Sequence, residues 1–232
     1  MNSIRYILTT IILPALFLMT GFEKDHIEER LEKLENKSEE LDKAKDFEKN
    51  IGFLKETTDI KWNADYYEWA EARKQAEHLY EDSNGRFERD WGTFLVHQAK
   101  KKNIDPAIVF ELLNVETGGK FDPNLVGPKT KYGKAYGMAQ FMKNTGPWIA
   151  KKANMPYSHS WLFDPYYSIQ LSIEYLDYLH EKYDNWNKAL TAYHRGIGGL
   201  EAYEDKHGNA ESWYALEIQE NAEEKQDVLV SQ

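Results

Sequence analysis

Two Asp-Pro pairs, Asp105-Pro106 and Asp164-Pro165, constrain the fold most strongly, because each is typical of the start of an α-helix. The aspartate side chain can cap free backbone N–H groups, and proline suits the first helical position. Each pair opens an apolar run with helical spacing, whereas the alternating β-branched runs typical of strands are almost absent. The sequence therefore predicts a mainly α-helical fold.

The predicted helices are separated by glycine- and asparagine-containing turns, the first of them at residues 83–85. A loop with glycine and proline, roughly residues 120–136, follows the third helix. The predicted helical ranges are 62–80, 87–102, 107–116, 165–183 and 186–194. We expect the last helix to be ended by Gly196, Gly198 and Gly199.

The amino-terminal segment predicts export. Arg5 precedes the uncharged residues 6–22, and an acidic flank begins at Glu23. Such a stretch lies at the lower edge of what can span a bilayer. A basic end, an apolar run and an acidic flank suit a signal peptide or a membrane anchor, with the basic end left inside. We expect residues 1–22 to be one of the two and the protein to be extracytoplasmic.

Residues 23–60 are densely charged, mixed in sign and free of proline, which predicts a helical stalk. Apolar positions at spacings of four and three form a short heptad seam, comprising Ile27, Leu31, Leu34 and Leu41, with Ser38 at the intermediate position. Such a seam permits self-association through a coiled coil. With so few apolar positions, a solvated single helix is an equal alternative.

Composition and the placement of histidines exclude several classes of function. The net charge of −10, without a basic stripe, argues against nucleic acid as a partner. The chain has no cysteine, which excludes disulfides, thiolate metal sites and a cysteine nucleophile. His180-Glu181 lacks the second histidine of a zinc-binding helix, and the other histidines are scattered. We therefore expect neither a metal nor a cofactor.

Glu116 is the candidate catalytic residue. Val109, Leu112 and Leu113 precede it by seven, four and three residues, so all share its helix face. A carboxylate on an apolar face is costly, and both burial and the negative helix end favour its protonated form. A protonated acid suits general-acid cleavage of a glycosidic bond. The alternative is a Glu116 paired with lysine or capping a loop, and Glu111 is interpreted as ordinary surface.

Three sequence blocks within residues 100–205 carry a family resemblance. They are ET at 116–117 followed by FDP at 121–123, GMAQFMKNT at 137–145, and ALTAY at 189–193. In this order they resemble the soluble lytic transglycosylase family, whose members show Glu-Ser, then Gly-Leu-Met-Gln-hydrophobic-Met-Pro-x-Thr, then Ala-Tyr-Asn. The resemblance implies a lysozyme-like, mainly α fold of the α+β lysozyme-like superfamily, with its core at residues 100–205. We expect the whole domain to span residues 61–220, with residues 221–232 as a tail.

The resemblance also implies a reaction and its site. Glu116 is expected to be the acid/base that cleaves the bond between N-acetylmuramic acid and N-acetylglucosamine in peptidoglycan, leaving a 1,6-anhydro end without metal or cofactor. The expected substrate-binding residues are Thr117, Gly137, Gln140, Met142 and Tyr193. Tyr193 is expected to hold Glu116 or the substrate, or else to be a buried tyrosine with a satisfied hydroxyl. Met138 is expected to fill the core.

The sequence departs from the family pattern at several positions. Thr117 stands where serine is usual, and Lys143 stands where proline is usual. Gly127 lies near the position of a substrate-contacting serine, and Tyr193 is followed by His194 and Arg195. These differences bear on substrate detail and rate more than on the class of reaction.

Most glycosidases use two carboxylates, and the sequence offers Asp122 and Asp164 as further candidates. Both precede proline and are better interpreted as turn or cap residues, so a single-carboxylate scheme is favoured. Two alternatives stay open. One is a muramidase that admits water to the same bond, and the other is a non-catalytic, exported peptidoglycan-binding protein.

Overall fold

The computed structural model describes residues 21–52 and 65–230, and the chain divides into two compact units, Met1–Phe47 and Glu48–Gln232. The predicted signal peptide or anchor, residues 1–22, lies outside the described residues except for its last two. Within the described ranges, no helix is long and apolar enough to cross a membrane. The predicted domain boundary near residue 61 also lies outside them.

The amino-terminal unit contributes one long helix, α1 (Gly21–Asn50), over most of the predicted stalk. Its surface carries ion pairs one turn apart, such as Lys33 with Glu29 at 2.6 Å. On the predicted seam, Leu34 is 59% exposed, while Ile27 and Leu31 are partly exposed. The helix is thus as predicted, and self-association through the seam stays a prediction.

The second unit is mainly helical, as predicted from the Asp-Pro pairs. Its helices are α2 (Tyr66–Asp82), α3 (Arg89–Lys101), α4 (Pro106–Thr117), α5 (Thr145–Lys152), α6 (Pro165–Tyr183), α7 (Trp186–Arg195), α8 (Ile197–His207) and α9 (Trp213–Val230). A 3-10 helix, His159–Phe163, precedes α6. Two short antiparallel strands, β1 (Ala135–Tyr136) and β2 (Phe141–Met142), pair Ala135 with Met142.

Side-chain caps explain where the helices begin. The carboxylates of Asp105 and Asp164 accept backbone N–H bonds at the starts of α4 and α6, each with proline in the first turn. Asp65 and Glu68 form a capping box at the start of α2. The α4 helix ends at Gly118, which has a left-handed φ of 59°. Both Asp-Pro helix starts are therefore confirmed.

One sequence prediction about the carboxyl-terminal region, the three-glycine helix stop, is wrong, and the bounds of the tail stay a prediction. Gly196 ends α7, but Gly198 and Gly199 lie inside α8 and do not stop a helix. The predicted tail from residue 221 continues α9, which runs from Trp213 to Val230. Along α9, Tyr214, Ile218 and Ala222 are buried at intervals of four residues, so this helix is part of the packed domain.

The core positions α4 at the centre of the unit. All residues of α4 from Pro106 to Leu113 are buried, and the helix packs against α3, α6 and α9. Three phenylalanine rings pack together where the chain leaves the carboxyl-terminal end of α4. Phe110 stacks on Phe121 at a centroid distance of 5.1 Å, and Phe87 contacts both rings. The last turn of α4 therefore has a rigid apolar base.

Candidate active site

Glu116 lies in the last turn of α4, two residues before the left-handed Gly118. The residues predicted to share its face, Val109, Leu112 and Leu113, are completely buried. Glu116 itself is partly exposed. Its carboxyl group is therefore held at the edge of the apolar core.

The environment of Glu116 favours its protonated form. Burial raises the pKa of Glu116 to about 7, and a hydrogen bond from Tyr214 lowers it in part. The Tyr214 hydroxyl donates to Oε1 of Glu116 at 2.7 Å. The expectation that burial raises this pKa is confirmed. A carboxyl group that titrates near neutrality can both donate and accept a proton during one catalytic cycle.

Tyr214 is the site residue that the sequence analysis missed. It lies in the first turn of α9, is 1% exposed, and burial raises its pKa well above the ordinary value. Its hydroxyl therefore stays protonated and can donate to a carboxylate. No function was assigned to the region after Trp213. The apolar spacing of Tyr214, Ile218 and Ala222 is the signal that would have shown a packed helix there.

Tyr193 lies on α7, near Glu116. Burial is the larger cause of its raised pKa, and the charge of the Glu116 carboxyl is the second cause. Its hydroxyl donates to the carbonyl oxygen of Ala139 at 3.2 Å. The hydrogen bond to Glu116 comes from Tyr214 instead. Tyr193 thus joins α7 to the segment between the two strands, beside the catalytic candidate.

Gly137 and Gln140 form a turn that is closed by their own hydrogen bonds. The Gln140 side-chain amide donates to the Gly137 carbonyl at 2.7 Å, and the Gly137 N–H donates to the Leu125 carbonyl at 2.9 Å. Gly137 has a φ of 74°, and an added Cβ would overlap the carbonyl oxygen of Leu162. The glycine is therefore required by the fold, and the amide of Gln140 holds the loop.

The Thr117 hydroxyl is also engaged within the chain. It donates to the Leu113 carbonyl at 2.7 Å and accepts from the Phe121 N–H at 3.0 Å, and the residue is 4% exposed. These bonds join the end of α4 to the following loop. The Thr117 hydroxyl thus supports the loop beside Glu116, and its expected role in binding substrate stays a prediction.

The two methionines of this segment differ in burial. Met138 is completely buried, which confirms the prediction that it fills the core. Met142, on β2, is partly exposed, and its predicted place in a substrate cleft stays a prediction. Gly127 lies next to the same turn, where an added Cβ would be 2.7 Å from Oε1 of Gln140. Glycine at this position leaves room for the Gln140 side chain.

The comparisons with known proteins agree with this geometry. A family model described as a transglycosylase SLT domain matches residues 94–216, more than half of the chain. The chain belongs to this family. The matched range contains Glu116, Tyr193 and Tyr214. The sequence resemblance and the predicted mainly α fold are thereby confirmed.

A similar solved structure is that of an inactive mutant of the lytic transglycosylase Slt from Pseudomonas aeruginosa. The identity is 19%, the TM-score is 0.48, and the match covers 66% of this chain and 30% of that chain. The matched part is therefore less than a third of the Slt chain. No curated protein sequence matches significantly.

The two further carboxylates that the sequence offers, Asp122 and Asp164, are engaged in the fold. Asp164 accepts from the Tyr167 N–H at 2.8 Å, and Asp122 accepts from the Asn124 N–H at 2.9 Å. Both are therefore the cap or turn residues that the sequence predicted. Within the described ranges, no group of three or more His, Asp or Glu residues is arranged to hold a metal ion.

The interpretation of Glu111 as surface is wrong. Glu111 is completely buried between α4 and α9, where the Lys225 ammonium lies 3.0 Å from its Oε1. Its Oε2 accepts from Asn114 at 3.0 Å and from Asn221 at 3.3 Å. The surface of α4 that carries Glu111 is covered by α9, to which no role was assigned from the sequence.

Proposed function

We propose that this SLT domain cleaves the β-1,4 bond between N-acetylmuramic acid and N-acetylglucosamine in peptidoglycan, with Glu116 as its acid/base. The observation that carries the proposal is the state of Glu116, a partly exposed carboxyl with a pKa of about 7 at the end of a buried helix. A group with this pKa is protonated in a large fraction of molecules at neutral pH, as a general acid requires.

In the proposed mechanism, protonated Glu116 donates its proton to the oxygen that links the two sugars, and the bond from that oxygen to C1 of the muramic residue breaks. The N-acetyl group of the same sugar helps to stabilise the positive charge that develops at C1. Glu116, now ionised, removes the proton from the muramic C6 hydroxyl, which closes on C1. The product is a 1,6-anhydro end, Glu116 is reprotonated, and no water is consumed.

The engagement of the other carboxylates supports a single-carboxylate scheme. Conventional glycosidases place a second carboxylate across the bond as nucleophile or base. In this domain Asp122 and Asp164 accept backbone N–H bonds, and Glu111 is ion-paired with Lys225. The tyrosines nearest Glu116 do not replace it, because burial raises the pKa of Tyr193 and of Tyr214 well above the ordinary value.

Replacement of Glu116 by glutamine tests the proposal. Glutamine keeps the shape but carries no acidic proton, so release of fragments from purified peptidoglycan is expected to fall by about 100-fold or more. Glu201→Gln, an exposed change on α8, is the matched control and is expected to keep full activity. Thermal unfolding of both variants shows whether the fold is retained. The assignment of Glu116 as acid/base would be refuted if wild type and Glu116→Gln cleaved peptidoglycan equally. It would also be refuted if neither protein cleaved it.

The products separate this mechanism from hydrolysis. Mass spectrometry of the fragments is expected to show 1,6-anhydromuramic ends, which are lighter than hydrolysed ends by one water. Reducing muramic ends would instead identify a muramidase that admits water. Binding to peptidoglycan without any cleavage by the wild type would identify a non-catalytic binding protein.

We also propose that the protein acts outside the cytoplasmic membrane, because its substrate lies there and residues 1–22 have the charge pattern of an export signal or anchor. Cell fractionation tests this, since the protein is expected in the membrane or secreted fraction. Deletion of residues 1–22 is expected to move it to the cytoplasm. An unchanged distribution would contradict the role of this segment.

A further inference from the structure

A partly buried ion cluster, in which Glu111 is buried and the Asp82 side chain is 46% exposed, joins the catalytic helix to the last helix of the domain. Lys225, on α9, places its Nζ 3.0 Å from Oε1 of Glu111 on α4 and 2.9 Å from Oδ2 of Asp82 at the end of α2. Asn221, one turn before Lys225, donates to the other oxygen of Glu111 at 3.3 Å. Charges from three helices therefore meet at one point in the packed domain.

Such a cluster is poorly explained by stability alone. Removing a carboxylate and an ammonium from water costs about as much as their attraction returns, so apolar side chains of similar size would stabilise the interface equally well. What the cluster supplies and apolar contacts do not is a specific set of partners, because Lys225 must lie between Asp82 and Glu111 while Asn221 faces the second oxygen of Glu111. The apolar contacts of α9, through Ile218 and Ala222, impose no such pairing.

The two polar contacts between α4 and α9 lie at different heights. Glu111 and Glu116 are five residues apart on α4, about 7.5 Å along the axis, and Tyr214 and Lys225 are eleven apart on α9, about 16 Å. One contact is the Tyr214–Glu116 hydrogen bond, and the other is the Lys225–Glu111 pair. Two separated directional contacts fix both the axial position and the rotation of one helix against another.

We propose that Lys225 is a positioning residue, which by pairing with Glu111 sets α9 so that the Tyr214 hydroxyl reaches the catalytic carboxyl of Glu116. Asp82 completes the cluster by holding the second side of the ammonium. Lys225 acts through Tyr214 and touches no substrate. The activity readout of this inference rests on the proposed function, whereas its structural readout does not.

A double-mutant cycle tests the coupling. Lys225→Met keeps the length of the side chain without its charge and is expected to lower kcat about tenfold while KM changes less than about twofold. In a Tyr214→Phe background the same change is expected to have almost no further effect, because the contact that Lys225 positions is already gone. Lys225→Arg is expected to restore most of the activity. If the fold losses in kcat of the two single variants multiply in the double variant, the two residues act independently and the proposal is overturned.

Lys102→Met is the matched control. Lys102 forms a similar partly buried pair with Glu174 and Asp177, at 3.0 and 2.7 Å, between α3 and α6. Its loss is expected to destabilise the domain comparably but to act independently of Tyr214→Phe. If Lys225→Met fails to fold, Glu111→Gln combined with Lys225→Met leaves no buried ion unpaired, because the remaining carboxylate, Asp82, is 46% exposed. The cycle is then repeated with this pair.

Hydrogen exchange separates this inference from the proposed function. The amides of residues 213–218 are expected to exchange at least about fivefold faster in Lys225→Met than in wild type, and at the wild-type rate in Lys102→Met. Unchanged exchange with intact glycan cleavage would refute the positioning role alone. Faster exchange in Lys225→Met, found together with a wild-type protein that does not cleave peptidoglycan, would refute the proposed function alone.

Discussion

At the scale of single residues, Glu116 is governed by two opposed effects on its pKa. Burial at the end of α4 raises the pKa to about 7, and the Tyr214 hydrogen bond acts in the opposite direction because it stabilises the ionised form. The balance keeps the group near its midpoint at neutral pH. This matters for the proposed reaction, since the same carboxyl must donate a proton in one step and remove one in the next.

Tyr214→Phe is expected to move the pH dependence of catalysis. Glu116 donates only when protonated, so activity is expected to fall as pH rises through about 7. Loss of the hydroxyl removes the contact that lowers the pKa, so the fall in kcat/KM is expected about one pH unit higher. Tyr203→Phe, whose hydroxyl meets the Glu211 carbonyl on the surface, is the control with an unchanged profile. A profile that stays in place or moves to lower pH would contradict the role of Tyr214.

Some residues of the site can be predicted from the sequence and others cannot, and the difference has a physical reason. Glu116 could be predicted because the apolar neighbours that bury it lie on its own helix, at spacings visible in the chain. The partners of Glu116 and Glu111 on α9 lie 98 and 110 residues away in sequence. Local periodicity carries no information about such a pairing, so Tyr214 was missed and Glu111 was misread as surface.

At the scale of elements, the turn between Leu125 and Gln140 is held beside the site by hydrogen bonds to its backbone carbonyl groups. Gly137 donates to Leu125 and accepts from the Gln140 amide, and the Ala139 carbonyl accepts from Tyr193. Within the family motif at residues 137–145, Gly137, Ala139 and Gln140 therefore set the conformation of this turn. Its conformation depends on Gly137, whose φ of 74° brings the backbone against Leu162.

Gly137→Ala is expected to destabilise the domain by about 2 kcal/mol or more, because the added methyl group would overlap the Leu162 carbonyl and force an unfavourable φ. Gly198→Ala is the matched control. An added Cβ at Gly198 meets open space within α8, so this change is expected to be neutral or to stabilise by up to about 1 kcal/mol. Chemical denaturation of both variants measures the difference. Equal stability would show that the turn tolerates a side chain.

Helix starts were predicted better than helix ends. Asp105 and Asp164 mark their helices because the caps are local contacts within three residues. Glycine is a weaker signal, since Gly118 and Gly196 end helices whereas Gly198 and Gly199 lie within one. Whether a glycine stops a helix depends on its φ, and here the values at Gly118 and Gly196 are positive.

At the scale of the whole molecule, every group assigned to the site belongs to the second compact unit, Glu48–Gln232. Glu116, Tyr193 and Tyr214 come from three different helices of that unit, and the family match from residue 94 to 216 lies within it. The amino-terminal unit, by contrast, offers a charged helix with an exposed Leu34 and no candidate catalytic group in its described residues. Catalysis and attachment are therefore expected to be separable.

Deletion of residues 1–47 tests that separation. The shortened protein is expected to keep kcat/KM on purified, solubilised glycan strands within about twofold of the full chain, because its core and its acid/base are intact. Circular dichroism and thermal unfolding establish that the remaining unit is folded. Combining the deletion with Glu116→Gln is the control, and it is expected to be as inactive as the single variant. If a folded, shortened protein loses more than about tenfold in kcat/KM, the amino-terminal unit must contribute to substrate binding or to the shape of the site, and the division of labour proposed for the two units fails.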